Sequence, residues 1–139
     1  MEEQFQASLL QLVRDRDWET IYQISSYLDQ EVSILIDAED VIFIDWGDQS
    51  RVHLSPPNGS KIPFKLWVHT HPNMTAYWSG TDRESLSIAT GILQCAYVLG
   101  GDGLLFTNSN SSEIADNLEG LDWTKELVIP WTEVRGASI

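Results

Sequence analysis

The side-chain rhythm of the chain changes once, near residue 31, and that change limits the folds open to it. Before it, Phe5, Leu9, Leu10, Leu12 and Val13 recur at helical spacing, as do Trp18, Ile21, Tyr22, Ile24, Tyr27 and Leu28. Asp17 can cap the second series as a separate helix or sit at a bend in one long helix; spacing allows both. After the change, Val32 to Ile36 and Val41 to Trp46 are β-branched and aromatic runs. The residues between them, Asp37-Ala38-Glu39-Asp40, read as a hairpin with Glu39 solvated at its tip. A short strand, Arg51 to Leu54, leads into a loop from Ser55 to Ser60 whose prolines and glycine exclude regular structure. Phe64 to His71 is the most apolar run up to Val68 and is expected to lie centrally. A helix from Gly80 to Gln94 follows, then strands Ala96 to Gly100 and Leu104 to Thr107 around the turn Gly101-Asp102-Gly103. Asn108 to Gly120 reads as loop, and Glu126 to Val134 as a closing strand broken by Pro130. Helix, strands, helix, strands describe an α+β domain. Its sheet is mostly antiparallel or mixed, flanked by the N-terminal helix and the helix after residue 80.

A chain of 139 residues suits one domain spanning 1–139, with enough interior for a full core. The net charge of −13, with only eight Lys and Arg, opposes nucleic-acid binding, which needs a basic footprint. The same charge can steer the protein toward a basic partner surface or simply keep it soluble. No apolar run reaches the roughly 18 residues of a membrane span. The start, MEEQFQASLLQLVRDRD, is acidic where a secretory signal is basic. Cys95 is the single cysteine, so no internal disulfide forms, which fits a reducing compartment. A cytoplasmic protein is expected, with neither nucleic acid nor membrane as partner.

Chemistry concentrates in His69-Thr70-His71-Pro72, followed after six more residues by Ser79-Gly80-Thr81-Asp82. On a strand, side chains alternate, so His69 and His71 share one face and Thr70 takes the other. Two imidazoles so placed can bind one zinc, and Asp82, in the first turn of the next helix, can add an oxygen ligand. Three protein ligands leave one coordination position open, which distinguishes a catalytic zinc from a structural one. Each piece has an ordinary reading. A lone H-x-H is commonly a packed or exposed pair, and Ser79 with Asp82 reads as a helix cap. The two readings of Ser79 and Asp82 are compatible, because a cap fixes both residues relative to the strand. His53 reads as a surface histidine and Cys95, at the end of the helix, as core. Tyr77 and Trp78 either line a substrate groove or pack the loop.

The pattern H-x-H-P, with seven residues between the second His and S-x-x-D, resembles the signature of the JAMM (MPN-plus) metalloproteases. It covers the whole motif without a gap, with Thr70 where the family commonly has Ser. The resemblance implies a cytidine-deaminase-like MPN fold and one zinc per chain on His69, His71 and Asp82. It implies a peptidase or isopeptidase that cleaves after the C-terminal tail of a ubiquitin-like protein. Ser79 would donate to the oxyanion, and a glutamate would act as general base. Glu31 opens the Val32 to Ile36 strand, where the family places that base. Glu19 is the rival if the first helix ends near Arg16, although helical spacing through Leu28 keeps it on a helix. A metal-free scaffold that binds partner proteins and a zinc hydrolase of small amides are the alternative readings.

Overall fold

The computed structural model describes residues 2–47, 56–89, 91–108 and 128–135. The expected strand at 51–54 and His53 lie outside the described residues, as does the expected loop from Asn108 to Gly120 beyond its first residue.

The N-terminal helical region is two helices, α1 (Glu2–Arg14) and α2 (Trp18–Leu28). Arg16 adopts a left-handed backbone (φ 58°), and Asp17 caps α2 by accepting the Thr20 N–H at 3.3 Å. A side-chain acceptor at the N-cap satisfies one of the orphan amides of the first turn, so starting a second helix costs little. A left-handed Asp29 (φ 52°) closes α2 two residues before the sheet begins.

Six strands form one sheet in the order β2-β1-β3-β4-β5-β6. They are β1 (Glu31–Ile36), β2 (Ile42–Gly47), β3 (Leu66–Thr70), β4 (Cys95–Gly100), β5 (Gly103–Asn108) and β6 (Val128–Ile129). The sheet is mixed. β3 and β4 run parallel, joined over one face by α3 (Gly80–Ile88), and every other neighbouring pair is antiparallel. β3 lies inside the sheet with all five residues buried, as its apolar run implies.

Alternation along the strands makes two cores. One face of β1 and β3, carrying Val32, Ile34, Ile36, Leu66 and Val68, packs on Val13, Trp18, Ile21 and Tyr22 of α1 and α2. The opposite face, carrying Leu35 and Trp67, packs with Ala96 and Val98 of β4 against Trp78, Leu86 and Ala89 around α3. The result is three layers with the sheet in the middle. Among the described residues no helix is long and apolar enough to cross a membrane.

Three segments depart from the sequence reading. α3 ends at Ile88 rather than Gln94. Residues beyond it are drawn into sheet-like pairing, with Phe64 donating to the Ile92 carbonyl at 2.6 Å and Gln94 donating to the Phe64 carbonyl at 2.9 Å. Gly91, at φ 86°, makes the turn that this requires. Cys95 therefore opens β4 instead of ending the helix, and burial pushes its thiol above the ordinary value. The closing segment is a two-residue strand followed by a short helix, α4 (Trp131–Val134), because Pro130 cannot extend a ladder but can precede a helix.

The hairpin between β1 and β2 forms as read. Glu39 is exposed, and the buried Asp37 carboxylate accepts the backbone N–H groups of Glu39, Val41 and Lys61 at 2.9–3.0 Å. Burial opposes its ionisation, yet those three donors and the Lys61 charge hold its carboxyl below the ordinary value. A lowered carboxyl stabilises the fold above the unfolded value near 3.9 and loses that contribution as pH falls through the folded value. Asp37→Asn is therefore expected to lower the melting temperature at pH 7, with the gap to wild type narrowing as thermal unfolding is followed below about pH 4.

Candidate metal centre

β3 ends where the chain leaves the sheet for the loop leading to α3. Because β3 and β4 are parallel, this is the carboxyl edge of the βαβ unit, where α/β sheets place ligands. Strand alternation puts His69 beside Trp67 on the α3 face, and His71 continues that face one residue beyond the strand. The His71 N–H still reaches the Leu99 carbonyl at 2.9 Å, so the parallel ladder holds the second imidazole in line. Trp67 stacks on His69, with ring centroids 4.6 Å apart and planes at 21°, and its indole N–H donates to Ser33 at 3.0 Å. These contacts leave the His69 ring little freedom to rotate.

The connecting loop is fastened at both sides. Asn73, at φ 59°, donates its backbone N–H to Ser26 Oγ and its side-chain amide to the Ser26 carbonyl. Gly101 donates to the Met74 carbonyl at 2.7 Å, and Ala76 donates to Asp102 at 2.8 Å. The loop crosses so close to β4 that a Cβ on Gly100 would lie 2.1 Å from the Ala76 nitrogen. Only glycine fits there.

α3 then starts with a complete capping box. Ser79 Oγ accepts the Asp82 N–H at 3.1 Å, and Asp82 Oδ2 accepts the Ser79 N–H at 2.9 Å. The box turns the Asp82 carboxylate back toward β3. Asp82 Oδ1 stands 2.9 Å from His69 Nε2, and Oδ2 stands 3.3 Å from His71 Nε2. One donor atom from each of His69, His71 and Asp82 falls within 4.8 Å of the others, and all three residues are buried.

Burial raises the Asp82 carboxyl, but the imidazoles of His69 and His71 and the Ser79 N–H outweigh it and keep the group well below the usual carboxylate range. Burial drives His69 the other way, below the ordinary imidazole value, and keeps it neutral at neutral pH. The cluster is thus an ionised carboxylate with a neutral imidazole presenting a lone pair, the protonation that metal ligation requires. Although His69 Nε2 lies near Asp82, both ring nitrogens of His69 lack a hydrogen-bond partner. Buried polar atoms left in this condition are costly unless something else satisfies them. Ligand atoms about 2.0–2.1 Å from a tetrahedral zinc stand roughly 3.3 Å apart, close to the separations from Asp82. The residues fit a metal ion.

Of the two glutamates, Glu31 shares the sheet face of the histidines. Ser33 pairs with His69 in the β1–β3 ladder, and Ser33 shares the Trp67 face through its hydrogen bond, so Glu31, two residues earlier, is on that face at the level of His71. It is buried. Glu19 sits on α2, in the layer beyond the opposite face, and is engaged by Arg135 through two contacts of 2.6 Å. That bond to Arg135 outweighs burial and lowers its carboxyl. Trp78 is buried and packs in the α3 core, whereas Tyr77 is partly exposed and meets the His71 ring edge-on at 4.6 Å. A cavity of about 390 Å³ lies along α3 between Pro56, Thr81, Glu84, Ile88 and Ile92, apart from the three donors.

Compared with models of known protein families, with curated proteins and with solved structures, the chain matches none.

Two outcomes test the centre. Zinc at about 100 times its dissociation constant is expected to add roughly 2.7 kcal/mol of folding stability, read as a rise in melting temperature that a chelator reverses. Asp82→Asn is expected to weaken zinc binding, measured by titration, by more than the roughly 10–100-fold typical of outer-shell changes.

Proposed function

We propose that the protein is a zinc peptidase or isopeptidase of the JAMM (MPN-plus) kind, with a cytidine-deaminase-like MPN fold. Its substrate would be the C-terminal tail of a ubiquitin-like protein, cut during deconjugation or precursor processing. One observation carries the reading: His69, His71 and Asp82 converge at the carboxyl edge of β3, beside the capping Ser79. The element order supports it, with helices first, then the β1–β2 hairpin, the His-bearing β3, the Asp-bearing α3 and the closing strands. Mixed nitrogen and oxygen donors favour zinc over magnesium or calcium, which take oxygen.

Zinc bound by these three residues would supply a Lewis acid and lower the pKa of a water toward about 7. The chain's own residues divide the remaining work. Ser79 Oγ already accepts the Asp82 N–H, so its hydroxyl proton stays available for an oxyanion. Glu31, on the same sheet face as the histidines, takes a proton from the attacking water and returns it to the leaving amine. Trp67 and the loop fastenings hold His69 and His71 in place while this happens.

The test is a cleavage assay on ubiquitin-like fusions with the zinc-loaded protein. Cleavage should occur at the end of the tail, stop with a strong chelator, and continue with a thiol blocker directed at Cys95. Glu31→Gln should keep its zinc and lose roughly 10²–10⁴ in rate. Ser79→Ala should lose about 10²–10³. Turnover of small amides alone would remove the protein substrate from the proposal, and a chain that takes up no zinc would leave a binding scaffold.

A further inference from the structure

Behind the donors, on the opposite face of the sheet, lies a short chain of hydrogen bonds that the proposed chemistry does not use. Thr70, between the two histidines, and Ser25 of α2 are both fully buried. The Val32 N–H donates to Thr70 Oγ1 at 2.9 Å. The Thr70 and Ser25 hydroxyls are 2.6 Å apart, and the Ser25 hydroxyl donates to the Gln30 carbonyl at 2.5 Å. A carbonyl only accepts, so Ser25 spends its proton on Gln30, and Thr70 must donate to Ser25. The direction of the whole chain is thereby set: Val32 N–H to Thr70, Thr70 to Ser25, Ser25 to Gln30.

The two ends of this chain are the peptide groups on either side of Glu31. Ser25 grips Gln30 a second time, since its own carbonyl accepts the Gln30 N–H at 3.1 Å. With the peptides before and after it both tied, the backbone angles of Glu31 are held, and they aim its side chain. The anchor is Thr70, whose neighbours on both sides are metal donors.

We propose that Thr70, acting with Ser25, is a positioning residue that fixes Glu31 relative to His69 and His71. It touches no substrate. The inference rests on the reading of Glu31 as general base, and a misplacement of 1 Å at such a group can cost about 10²-fold in rate.

Zinc-loaded wild type, Thr70→Val, Thr70→Ser and Ser25→Ala are compared by steady-state cleavage of a ubiquitin-like fusion, zinc content and amide hydrogen exchange. Thr70→Val should lower kcat by at least roughly tenfold while KM and zinc content hold. Thr70→Ser, which keeps the hydroxyl, should restore kcat to within about twofold, and Ser25→Ala should fall in the same direction as Thr70→Val. A Thr70→Val enzyme with wild-type kcat overturns the proposal, and so does a Thr70→Ser enzyme as impaired as Thr70→Val. If Thr70→Val does not fold, Ser25→Ala against wild type decides by the same split of kcat from KM. If wild type cleaves no fusion, the function reading fails by itself. The positioning is then judged by exchange: the Val32 amide should exchange faster in Thr70→Val and not in Thr70→Ser, and equal rates in both overturn it.

Discussion

β3 is buried on both faces, and it nevertheless carries two polar residues in its last two positions, followed by a third just beyond. Inside a protein such groups must be satisfied or they cost stability. Most of the organisation around the site follows from how they are satisfied. Thr70 finds partners in Ser25 and Val32 on the helix side of the sheet. His69 and His71 face the other way and meet Asp82, which a capping box turns back toward them. One strand edge thus ties α2 to β1 on one face and gathers candidate metal donors on the other.

Electrostatics sharpens this division. A buried carboxylate near a desolvated, neutral imidazole is an unfinished arrangement, because among the described residues no lysine or arginine contributes to the carboxylate's environment. A metal ion could complete it, and stacking on Trp67, the ladder to Leu99 and the cap on α3 already hold the donors. Pre-organisation of this kind is what a site needs to bind metal tightly and to aim it. The packing on both sides of the sheet gives the donors a rigid backing: Trp18, Ile21 and Tyr22 on one side, Trp78 and Leu86 on the other.

Much of the candidate site was legible in the chain because its geometry is local. Alternation on a strand places His69 and His71 together and Thr70 opposite, whatever the strand pairs with. Ser79 and Asp82 at a cap-and-N3 spacing are brought together by the first turn of a helix, and both capping hydrogen bonds are present. That Glu31 rather than Glu19 shares the histidines' sheet face is less legible. Helical spacing favoured it, but only the β1–β3 register, with Ser33 opposite His69, carries Glu31 to the level of His71. The Arg135 partner of Glu19 comes from 116 residues away, beyond the reach of any local pattern.

By itself, then, the sequence determined the elements whose causes lie within a few residues: the hairpin at Asp37, the buried run of β3, the H-x-H face and the cap of α3. Tertiary structure decided where α3 stops, because Phe64 captures the backbone beyond it for the sheet. It also turned Cys95 from a helix end into the first residue of β4, and it made the sheet mixed by laying β4 parallel to β3. The physical reason is the same in each case. Periodicity reports which side of an element meets apolar surroundings, while pairing partners and chain reversals depend on long-range contacts that only form once the layers close.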